Sequence, residues 1–533
     1  MWAKITKARG HKYLQIIHSY RDAQGVPRQK VLWNAGRIDN YNRKDLEKIG
    51  MRLLELSGSQ CVDFNNLEGE AVVNWGYAVY KRLWEEFELE KIMNKIISKT
   101  KVQFSLNDSV FHMVIQHLLE PCSKLKTYEK QQDYLGVKEV ELNSLYRSLD
   151  LLAENKEKIE EDIYFRNRNL FNMEIDVAYY DVTTFYFESV KQDSIKEFGF
   201  SKDCKFNQVQ VVMGLFVDCE GRPIGYELFR GNIFDGKTLE KSLKILKERF
   251  KIRRVIIVAD RGINSKNNLL KLKTFGYGYI VASRLKSMSK EIINEALEEK
   301  GYTEVSDEEF KYKVLNYNNR INGEEHSERL IITYSEKRAK KDRADRNRLL
   351  QKTAKLLKYP SKIDASNKRG GKKYIKLTGN KKWELDKKAI ETSKKFDGYY
   401  AIQTSEMEVS PREILQKHHG LWKIEESFRI MKSNLEVRPI FHWTEKRIRG
   451  HFVLCFLAFL LERELEFRLK YKEIKASPNK IKDSLNSMKI VKLNHKGEQL
   501  YLKIPGDPLS NKILSAMKMA SPKNVSKPHE LSI

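Results

Sequence analysis

The spacing of hydrophobic residues changes along the chain, and each change predicts a different kind of element. Residues 11–37 form two apolar runs around "DAQG", which predict a β-hairpin with basic strand faces. From about residue 70 to residue 170, apolar residues recur at three- and four-residue steps. This spacing is typical of amphipathic helices, so we expect a separate helical module there.

Residues 175–284 switch to short apolar runs that predict strands. The segments "FNQVQVVMGLFVD" and "PIGYELFRG" are joined by "CEGR", so we expect them to pair antiparallel. The segment "TLEKSLKILKERF" predicts an amphipathic helix, and "RRVIIVAD" predicts a short buried strand. Strands, a helix and further strands in this order predict a mixed α/β layer.

The pattern weakens between residues 285 and 397, where Lys, Glu, Asn and Arg dominate. We interpret this segment as an insertion with its own small fold, after which "YYAIQTS" (399–405) resumes the sheet. Ser410 as N-cap, Pro411 in the first turn and Glu413 predict the start of a helix that runs to Pro439.

The longest apolar run, residues 452–461, has ten residues and is followed by a Glu-Arg pair. It has about half the length of a membrane span, so we expect a core helix. No signal peptide opens the chain, and five scattered Cys indicate a reducing compartment. The expected location is therefore the cytoplasm.

The composition favours nucleic acid as a partner. The chain has 533 residues, which suggests two to four domains, and a net charge of +27 from 99 Lys and Arg residues. Such an excess of positive charge is costly unless a polyanion relieves it, and nucleic acid is the obvious polyanion. A Lys-rich proteome is the alternative explanation for the charge.

Three carboxylates occupy unusual positions. Asp181 lies in the middle of the predicted strand "AYYDVTTFYF", Asp260 ends the strand "VIIVAD", and Glu425 falls on the apolar stripe of the predicted late helix. Singly, each residue also fits an ordinary role as turn residue, cap or ion-pair partner. Buried carboxylates that converge would repel one another, and Mg²⁺ ions bound to their oxygens would remove that repulsion. Two such ions support attack at phosphorus, so the three acids point to phosphoryl transfer on DNA.

Four separated segments carry a family resemblance: "YYDVTTFYFES", "GLFVDCEGRPIGYELFRGNIFDGKTL", "VIIVADRGINSKNNL" and "LWKIEESFRIMKSNLEVRPIFHW". They resemble a bacterial insertion-sequence DDE transposase of the IS-four superfamily, over roughly residues 10 to 460. The resemblance implies an RNase H-like catalytic domain with an insertion before the catalytic Glu. It also implies that Asp181, Asp260 and Glu425 form the metal-binding catalytic triad, with two Mg²⁺ ions for which Mn²⁺ can substitute.

The family motif Y-x2-R-x3-E-x6-K maps its Glu to Glu425 and its Lys to Lys432. The chain departs from this motif at His418, where the family usually has Tyr, and at Leu421, where many members have Arg. Both positions are associated with holding phosphates of the transposon end. The predicted DNA-binding residues are Lys432, Arg429, His418, Trp422, Asn232 and Arg261.

The predicted fold class is α/β: an RNase H-like mixed sheet flanked by helices, interrupted by an inserted domain, and preceded by a β-hairpin arm and a helical DNA-binding module. The predicted segments are the hairpin arm at 1–65, the helical module at 66–170, the first part of the catalytic core at 171–284, the insertion at 285–397, the second part of the core with the Glu helix at 398–475, and a C-terminal tail at 476–533 that serves as a dimer contact or a small β-unit.

The predicted function is a transposase that binds the terminal inverted repeats of an insertion sequence, then cuts and joins DNA. Double-stranded DNA is the expected partner, at the transposon ends and at the target, and a homodimer is expected in the paired-end complex. Two alternatives stay open at this point. One is an inactive DNA-binding derivative that acts as a repressor, and the other is an RNase H-like nuclease without strand transfer.

Overall fold

The computed structural model of the protein describes most of the chain. The described part comprises residues 1–58, 67–171, 176–199, 207–233, 237–305, 309–359, 363, 370–379, 382–436, 440, 442–495 and 497–531. These residues fall into two compact units: the first contains 1–72, 491–503 and 523–532, and the second contains 73–490 and 504–522.

The strands are β1 (Trp2–Ala8), β2 (His11–Arg21), β3 (Pro27–Arg37), β4 (Leu67–Asn74), β5 (Val177–Tyr186), β6 (Gln210–Val217), β7 (Pro223–Arg230), β8 (Ile256–Ala259), β9 (Gly278–Ser283), β10 (Thr303–Glu304), β11 (Lys311–Ile321), β12 (Glu324–Tyr334), β13 (Ile375–Leu377), β14 (Trp383–Leu385), β15 (Tyr399–Thr404), β16 (Lys489–His495), β17 (Glu498–Ile504) and β18 (Val525–Ser526). The helices are α1 (Arg43–Leu56), α2 (Ala78–Glu86), α3 (Leu89–Ile97), α4 (Leu106–Leu119), α5 (Lys124–Glu129), α6 (Leu142–Glu154), α7 (Lys156–Phe171), α8 (Leu239–Glu248), α9 (Lys266–Phe275), α10 (Lys290–Leu297), α11 (Glu336–Leu357), α12 (Lys387–Lys394), α13 (Pro411–His419), α14 (Trp422–Arg429), α15 (Glu445–Tyr471), α16 (Pro478–Ser487) and α17 (Pro508–Ala516).

In the first unit, β2 and β3 form the predicted hairpin. The Asp22 carboxylate holds the turn, because it accepts hydrogen bonds from the backbone N–H of Gln24 and of Val26 and from the Arg28 side chain. Strand β1, which was not predicted, pairs with β2 and completes an antiparallel sheet. A second sheet has the order β18-β17-β16-β4, so the C-terminal tail contains the β-unit that was one of its two interpretations.

The described residues of the second unit form a nine-stranded sheet in the order β10-β11-β12-β15-β9-β8-β5-β6-β7. Strands β5, β6 and β7 are antiparallel neighbours, and β8 and β9 run parallel to β5. The predicted antiparallel pairing of β6 with β7 is confirmed. This five-strand order and these directions are those of the predicted RNase H-like sheet.

Alternation along β5 assigns its side chains to two faces of the sheet. Tyr180 and Val182 belong to a core cluster with apolar residues of α8 and α9. Phe185 points to the other face, where its ring lies 5.2 Å from that of Phe452 in α15. Helices therefore cover both faces, as expected for a sheet whose central strands are buried.

The insertion differs from its prediction as a separate small fold, because its longest strands extend the catalytic sheet. Strand β15 pairs antiparallel with β9, which confirms that residues 399–405 resume the sheet. Strand β12 adds to β15, and β11 adds to β12. The hairpin of β11 and β12 forms backbone hydrogen bonds with β15 through β12, so it is part of the catalytic sheet and not a separate fold.

Helix α15 contains the apolar run 452–461, and every residue of that run is buried, so the predicted core helix is confirmed. Helices α4 and α6 pack against α15, and Gly450 permits this because a Cβ there would collide with the carbonyl of Leu149 in α6. Helices α2 to α7 thus share a compact unit with the sheet. Among the described helices, none has the length and apolar character needed to cross a membrane.

Candidate active site

The register of the central strands brings two of the three predicted acids to neighbouring positions. In the parallel pair of β5 and β8, Tyr180 is the partner of Ala259. Asp181 directly follows Tyr180, and Asp260 directly follows Ala259. Adjacent strands lie about 4.8 Å apart. Asp181 is half-buried and Asp260 is exposed. The two carboxylates therefore occupy equivalent positions next to each other on the sheet.

Backbone N–H groups near each residue orient these two carboxylates. Oδ1 of Asp181 accepts a hydrogen bond of 2.7 Å from the N–H of Val182. Oδ1 of Asp260 accepts one of 2.7 Å from the N–H of Gly262, which closes a short turn after β8. An Asp side chain that bonds to nearby backbone is well suited to a strand end, so local chemistry explains the position of Asp260 in part; Asp181 lies within β5.

The third predicted acid, Glu425, lies on α14, which packs against β5 and β6. Tyr179 shares a sheet face with Asp181, because the two residues are two positions apart in β5. The Tyr179 hydroxyl donates a 3.0 Å hydrogen bond to the carbonyl of Lys417, at the end of α13. The junction of α13 and α14 thus covers the face of the sheet that carries Asp181.

The prediction that Glu425 is buried on the apolar stripe of its helix is wrong. The buried side chains of α14 are Ile424, Ser427 and Phe428, and Glu425 is exposed beside them. An exposed carboxylate has no burial cost to offset, so a metal is not needed to explain its position in the helix. The position of Glu425 relative to the other two acids is indicated by a residue that neighbours both Glu425 and Asp260.

Tyr400 in β15 is a shared neighbour of two of the acids. Burial raises the pKa of the Tyr400 hydroxyl, the positive charges of Arg261 and Arg338 oppose that change, and the negative charges of Asp260 and Glu425 add to it. Both carboxylates therefore lie close enough to Tyr400 to act on its charge. Tyr400 was not among the predicted site residues, and its signal in the sequence was its place in the strand that resumes the sheet.

The predicted late helix is interrupted. Ser410 caps α13 as expected, accepting a hydrogen bond from the N–H of Glu413, but α13 ends at His419. A tight turn follows, in which the N–H of Leu421 bonds to the carbonyl of His418. The carbonyl of Lys417 accepts hydrogen bonds from the N–H of Gly420 and from the Tyr179 hydroxyl. A π-helical turn (Ile430–Asn434) follows α14, and Pro439 lies outside the described residues.

The donor chemistry of this face fits a hard divalent cation, because carboxylate oxygens are the ligands that Mg²⁺ prefers. Among the described residues, however, no three or more His, Cys, Asp or Glu side chains are close enough together to hold a metal ion. The expected meeting of Asp181, Asp260 and Glu425 around metal ions is therefore not confirmed by the geometry. Their assignment as ligands stays a prediction.

Comparison with known families identifies the chain. Residues 173–461, more than half of the sequence, match the transposase DDE domain. The chain belongs to the DDE transposase family. Residues 3–58 match the IS1634 family transposase N-terminal domain, which covers the hairpin and α1. The predicted insertion-sequence DDE transposase is confirmed, and with it a DNA-processing enzyme whose domain type generally uses divalent metal ions.

Two solved transposase structures show a weak similarity to this transposase. One is the piggyBac transposase synaptic complex with hairpin DNA, with 10% identity, coverage of 78% of this chain and 80% of that chain, and a TM-score of 0.33. The other is the Mos1 transposase paired-end complex with the left transposon end, with 13% identity, coverage of 45% and 67%, and a TM-score of 0.15. Neither similarity is strong enough to assign a residue of this chain. None of the curated proteins matches the chain.

Among the predicted DNA-binding residues of the transposase, Lys432 lies on the same sheet face as Asp181. Its ammonium nitrogen is 5.6 Å from the centre of the Phe185 ring. Phe185 is four residues beyond Asp181 on β5, a distance of about 13 Å along the strand.

The other candidates have mixed surroundings. Arg429 is exposed and pairs with Glu426 at 3.1 Å, Trp422 is 46% exposed, and Arg261 is exposed beside Asp260. Asn232 is exposed beyond β7, two strands away from β5. Arg230, at the end of β7, pairs with Val211 of β6, and Val211 pairs with Phe185 of β5. Asn232 follows Arg230, so it lies level with the end of β5 and not beside Asp181.

His418 packs against Tyr400, with ring centres 5.6 Å apart. Burial, assisted by the neighbouring His419, lowers the pKa of His418 to about 4, so the imidazole is neutral near pH 7. Its Nε2 is buried without a hydrogen-bond partner among the described residues. A neutral imidazole offers a phosphate one N–H donor and no positive charge. His418 would therefore bind a phosphate less strongly than a cationic side chain at this position.

Proposed function

We propose that Asp181, Asp260 and Glu425 are the catalytic carboxylates with which this transposase cuts and joins DNA at the ends of its insertion sequence. The observation that carries the proposal is the β5–β8 register, which sets Asp181 and Asp260 side by side on the sheet. Two further observations support Glu425: its helix packs on β5, and its charge reaches the same Tyr400 hydroxyl as that of Asp260.

The three carboxylates would hold two Mg²⁺ ions, for which Mn²⁺ can substitute. Bound there, divalent ions activate the attacking oxygen and stabilise the leaving oxygen of a phosphodiester. The chain would supply the oxygen ligands from β5, from the turn after β8 and from α14. Backbone bonds to Val182 and Gly262 orient Asp181 and Asp260. Asp260 and Glu425 are exposed, so DNA can reach them.

Lys432, Arg429, Trp422, Arg261, Asn232 and His418 would contact the DNA next to these acids. Lys432 has the strongest support, because it lies over Phe185 on the Asp181 face. The hairpin arm and the helices before residue 170 would bind the terminal inverted repeats, and two copies of the chain would act in the paired-end complex. The net charge of +27 favours contact with DNA over a long surface.

The test is an assay of end cleavage and strand joining with labelled transposon-end DNA and Mg²⁺. Asp181→Asn, Asp260→Asn and Glu425→Gln should each abolish both reactions and leave end binding nearly unchanged in a gel shift. Glu413→Gln is the matched control, because Glu413 is an exposed acid on the adjacent α13 that pairs with Lys417. It should retain wild-type rates.

A second measurement keeps the proposal testable without turnover. Mg²⁺ or Mn²⁺ should raise the thermal stability of the wild-type protein and of Glu413→Gln more than that of the three variants. Cleavage by any of the three variants at the wild-type rate would contradict the assignment of that residue. Loss of folding in all three would also count against the site, because it would give these acids a structural role.

A further inference from the structure

A cavity of about 400 Å³ lies in the second unit, apart from the three proposed catalytic carboxylates. Residues from α4, from the loop before α5, from α6 and from the start of α15 line it. The lining includes these polar and charged side chains: His117, Lys124, Tyr146, His442, Thr444 and Arg447. Neither the predicted DNA contacts nor the catalytic site uses any of these side chains.

Lys124 is the central feature of this cavity. It is 5% exposed, and its surroundings are the Cys122 and Cys455 thiols and the His117 and His442 imidazoles. Among the described residues, no carboxylate lies within ion-pair distance of its ammonium group. A buried charge without a partner is costly, so proteins keep one where a ligand or a partner compensates it.

The other charged groups in the lining do not balance Lys124. Arg447 is itself positive, pairs with Asp150 at 3.7 Å and lies over the Tyr146 ring. Burial lowers the pKa of His117 and of His442 to about 3, so both imidazoles are neutral near pH 7. Glu436 is the acid in the lining, and it is exposed and not paired with Lys124. Lys124 and Arg447 are therefore the cationic groups among the described lining residues, and burial lowers the pKa of Lys124, so a bound anion would favour its charged form.

Helix α15 begins at this cavity. Its N-cap, Thr444, is in the lining and accepts a hydrogen bond from the N–H of Arg447. The dipole of a helix of 27 residues adds positive potential at its N-terminus, and the Glu445 carboxylate in the first turn, which pairs with Arg449, offsets part of it. We propose that this cavity binds a phosphate group, with the Lys124 ammonium as its main ligand and the start of α15 as the second source of positive potential.

A backbone phosphate of DNA and free inorganic phosphate share the chemistry of this cavity. His451 lines the cavity, and the next residue, Phe452, packs on Phe185, over which Lys432 lies. This layer of side chains separates the cavity from Lys432. DNA as the source rests on the proposed function, and the two experiments below distinguish it from free phosphate.

The first experiment measures thermal unfolding of the full-length protein in inorganic phosphate and in chloride at equal ionic strength. Phosphate should raise the melting temperature of the wild type and should have no such effect on Lys124→Met. Lys126→Met is the matched control, because Lys126 is exposed on the same helix and pairs with Glu129. It should respond to phosphate like the wild type.

The second experiment measures binding of transposon-end DNA by gel shift over a range of salt concentrations. Lys124→Met should bind about tenfold more weakly, the change expected for one lost charge-assisted hydrogen bond. It should also reduce the slope of log affinity against log salt by about one. Lys126→Met should keep both values. The catalytic proposal is judged by cleavage in the Asp181, Asp260 and Glu425 variants, so the two proposals can fail separately.

The outcomes divide clearly. A phosphate effect on stability with an unchanged salt slope assigns the cavity to free phosphate, and both effects together assign it to DNA. If phosphate does not stabilise the wild type and the salt slope is unchanged, the proposal is overturned. Methionine removes an unpaired buried charge, so we expect Lys124→Met to fold. Lys124→Gln provides the same comparison if it does not.

Discussion

Gly420 joins α13 to α14 in close contact with β5, and we expect Gly420→Ala to impair both stability and cleavage. The backbone at Gly420 (φ −60°, ψ −8°) suits alanine, so the effect comes from the added methyl group alone. That Cβ would overlap the Tyr179 hydroxyl and lie 2.7 Å from its Cζ. Carbon atoms pack at about 3.5–4.0 Å, so the junction has to move by about 1 Å.

The size of the effect follows from this displacement. Moving the junction breaks the hydrogen bond from Tyr179 to the carbonyl of Lys417, which contributes about 1 kcal/mol. Overpacking adds about 1–3 kcal/mol, so the free energy of unfolding should fall by about 2–4 kcal/mol. Glu425 lies five residues further along and moves with α14. A displacement of about 1 Å at Glu425, the proposed catalytic residue, should lower the cleavage rate on the order of 100-fold.

Urea unfolding and the rate of end cleavage in Mg²⁺ measure these two effects, and a gel shift checks that DNA binding is retained. Gly50→Ala is the matched control, because Gly50 lies within α1 and a Cβ there meets no atom within 4 Å. Alanine is the better helix former, so this control should be stabilised by up to about 1 kcal/mol and should cleave normally.

Tyr179→Phe provides the decisive comparison. It removes the hydroxyl that overlaps the added methyl group and leaves Cζ at 2.7 Å, so Gly420→Ala in this background should lose less stability than in the wild type. Wild-type stability and cleavage in Gly420→Ala would refute the expected clash. If Gly420→Ala lowers the free energy of unfolding equally in the wild type and in Tyr179→Phe, the added methyl group does not clash with the Tyr179 hydroxyl.

Two further changes test charges elsewhere in the second unit. Burial and the nearby Glu466 carboxylate raise the pKa of Glu462 from the ordinary 4.5 to about 8, so the folded protein retains a proton that the unfolded chain releases between these pH values. The free energy of unfolding should therefore fall as pH rises from about 4.5 to about 8, by on the order of 5 kcal/mol at about 1.4 kcal/mol per pH unit, and Glu462→Gln should flatten this part of the urea-unfolding profile. Lys432→Met should weaken end binding and lower the slope of log affinity against log salt by about one phosphate contact in a gel shift.

Each of these two predictions has a contrary outcome. Glu462 accepts a 2.5 Å hydrogen bond from the Tyr80 hydroxyl, and glutamine can accept the same bond. Equal pH profiles for Glu462→Gln and the wild type would therefore show that Glu462 is already ionised at pH 5. An unchanged salt slope in Lys432→Met would exclude Lys432 from the phosphate contacts, whatever the effect on affinity.

Local patterns in the sequence were sufficient to predict several elements. The hairpin of β2 and β3, the antiparallel pair of β6 and β7, the return of the sheet at β15 and the core helix α15 all follow from side-chain periodicity and turn residues. These features depend on residues that are near one another in the sequence. The four family motifs added the identity of the catalytic domain, which the family match confirms.

Other features depend on contacts between distant segments, so they could not be predicted from local patterns in the sequence. Glu425 has the helical spacing of a buried residue, but the side of α14 that packs on the sheet is set by Ile424, Ser427 and Phe428. At the break after His419, the carbonyl of Lys417 accepts a hydrogen bond from the hydroxyl of Tyr179, about 240 residues earlier. Neither effect can be deduced from the helix alone.

The sequence by itself determined which elements form and which acids stand in unusual places, because periodicity, turn chemistry and charge act over a few residues. Only the tertiary structure decided that Asp181 and Asp260 are neighbours, that the insertion extends the sheet, and that Lys124 is buried with no carboxylate beside it among the described residues. Register between strands and packing between helices set these features, and both depend on residues that are far apart along the chain.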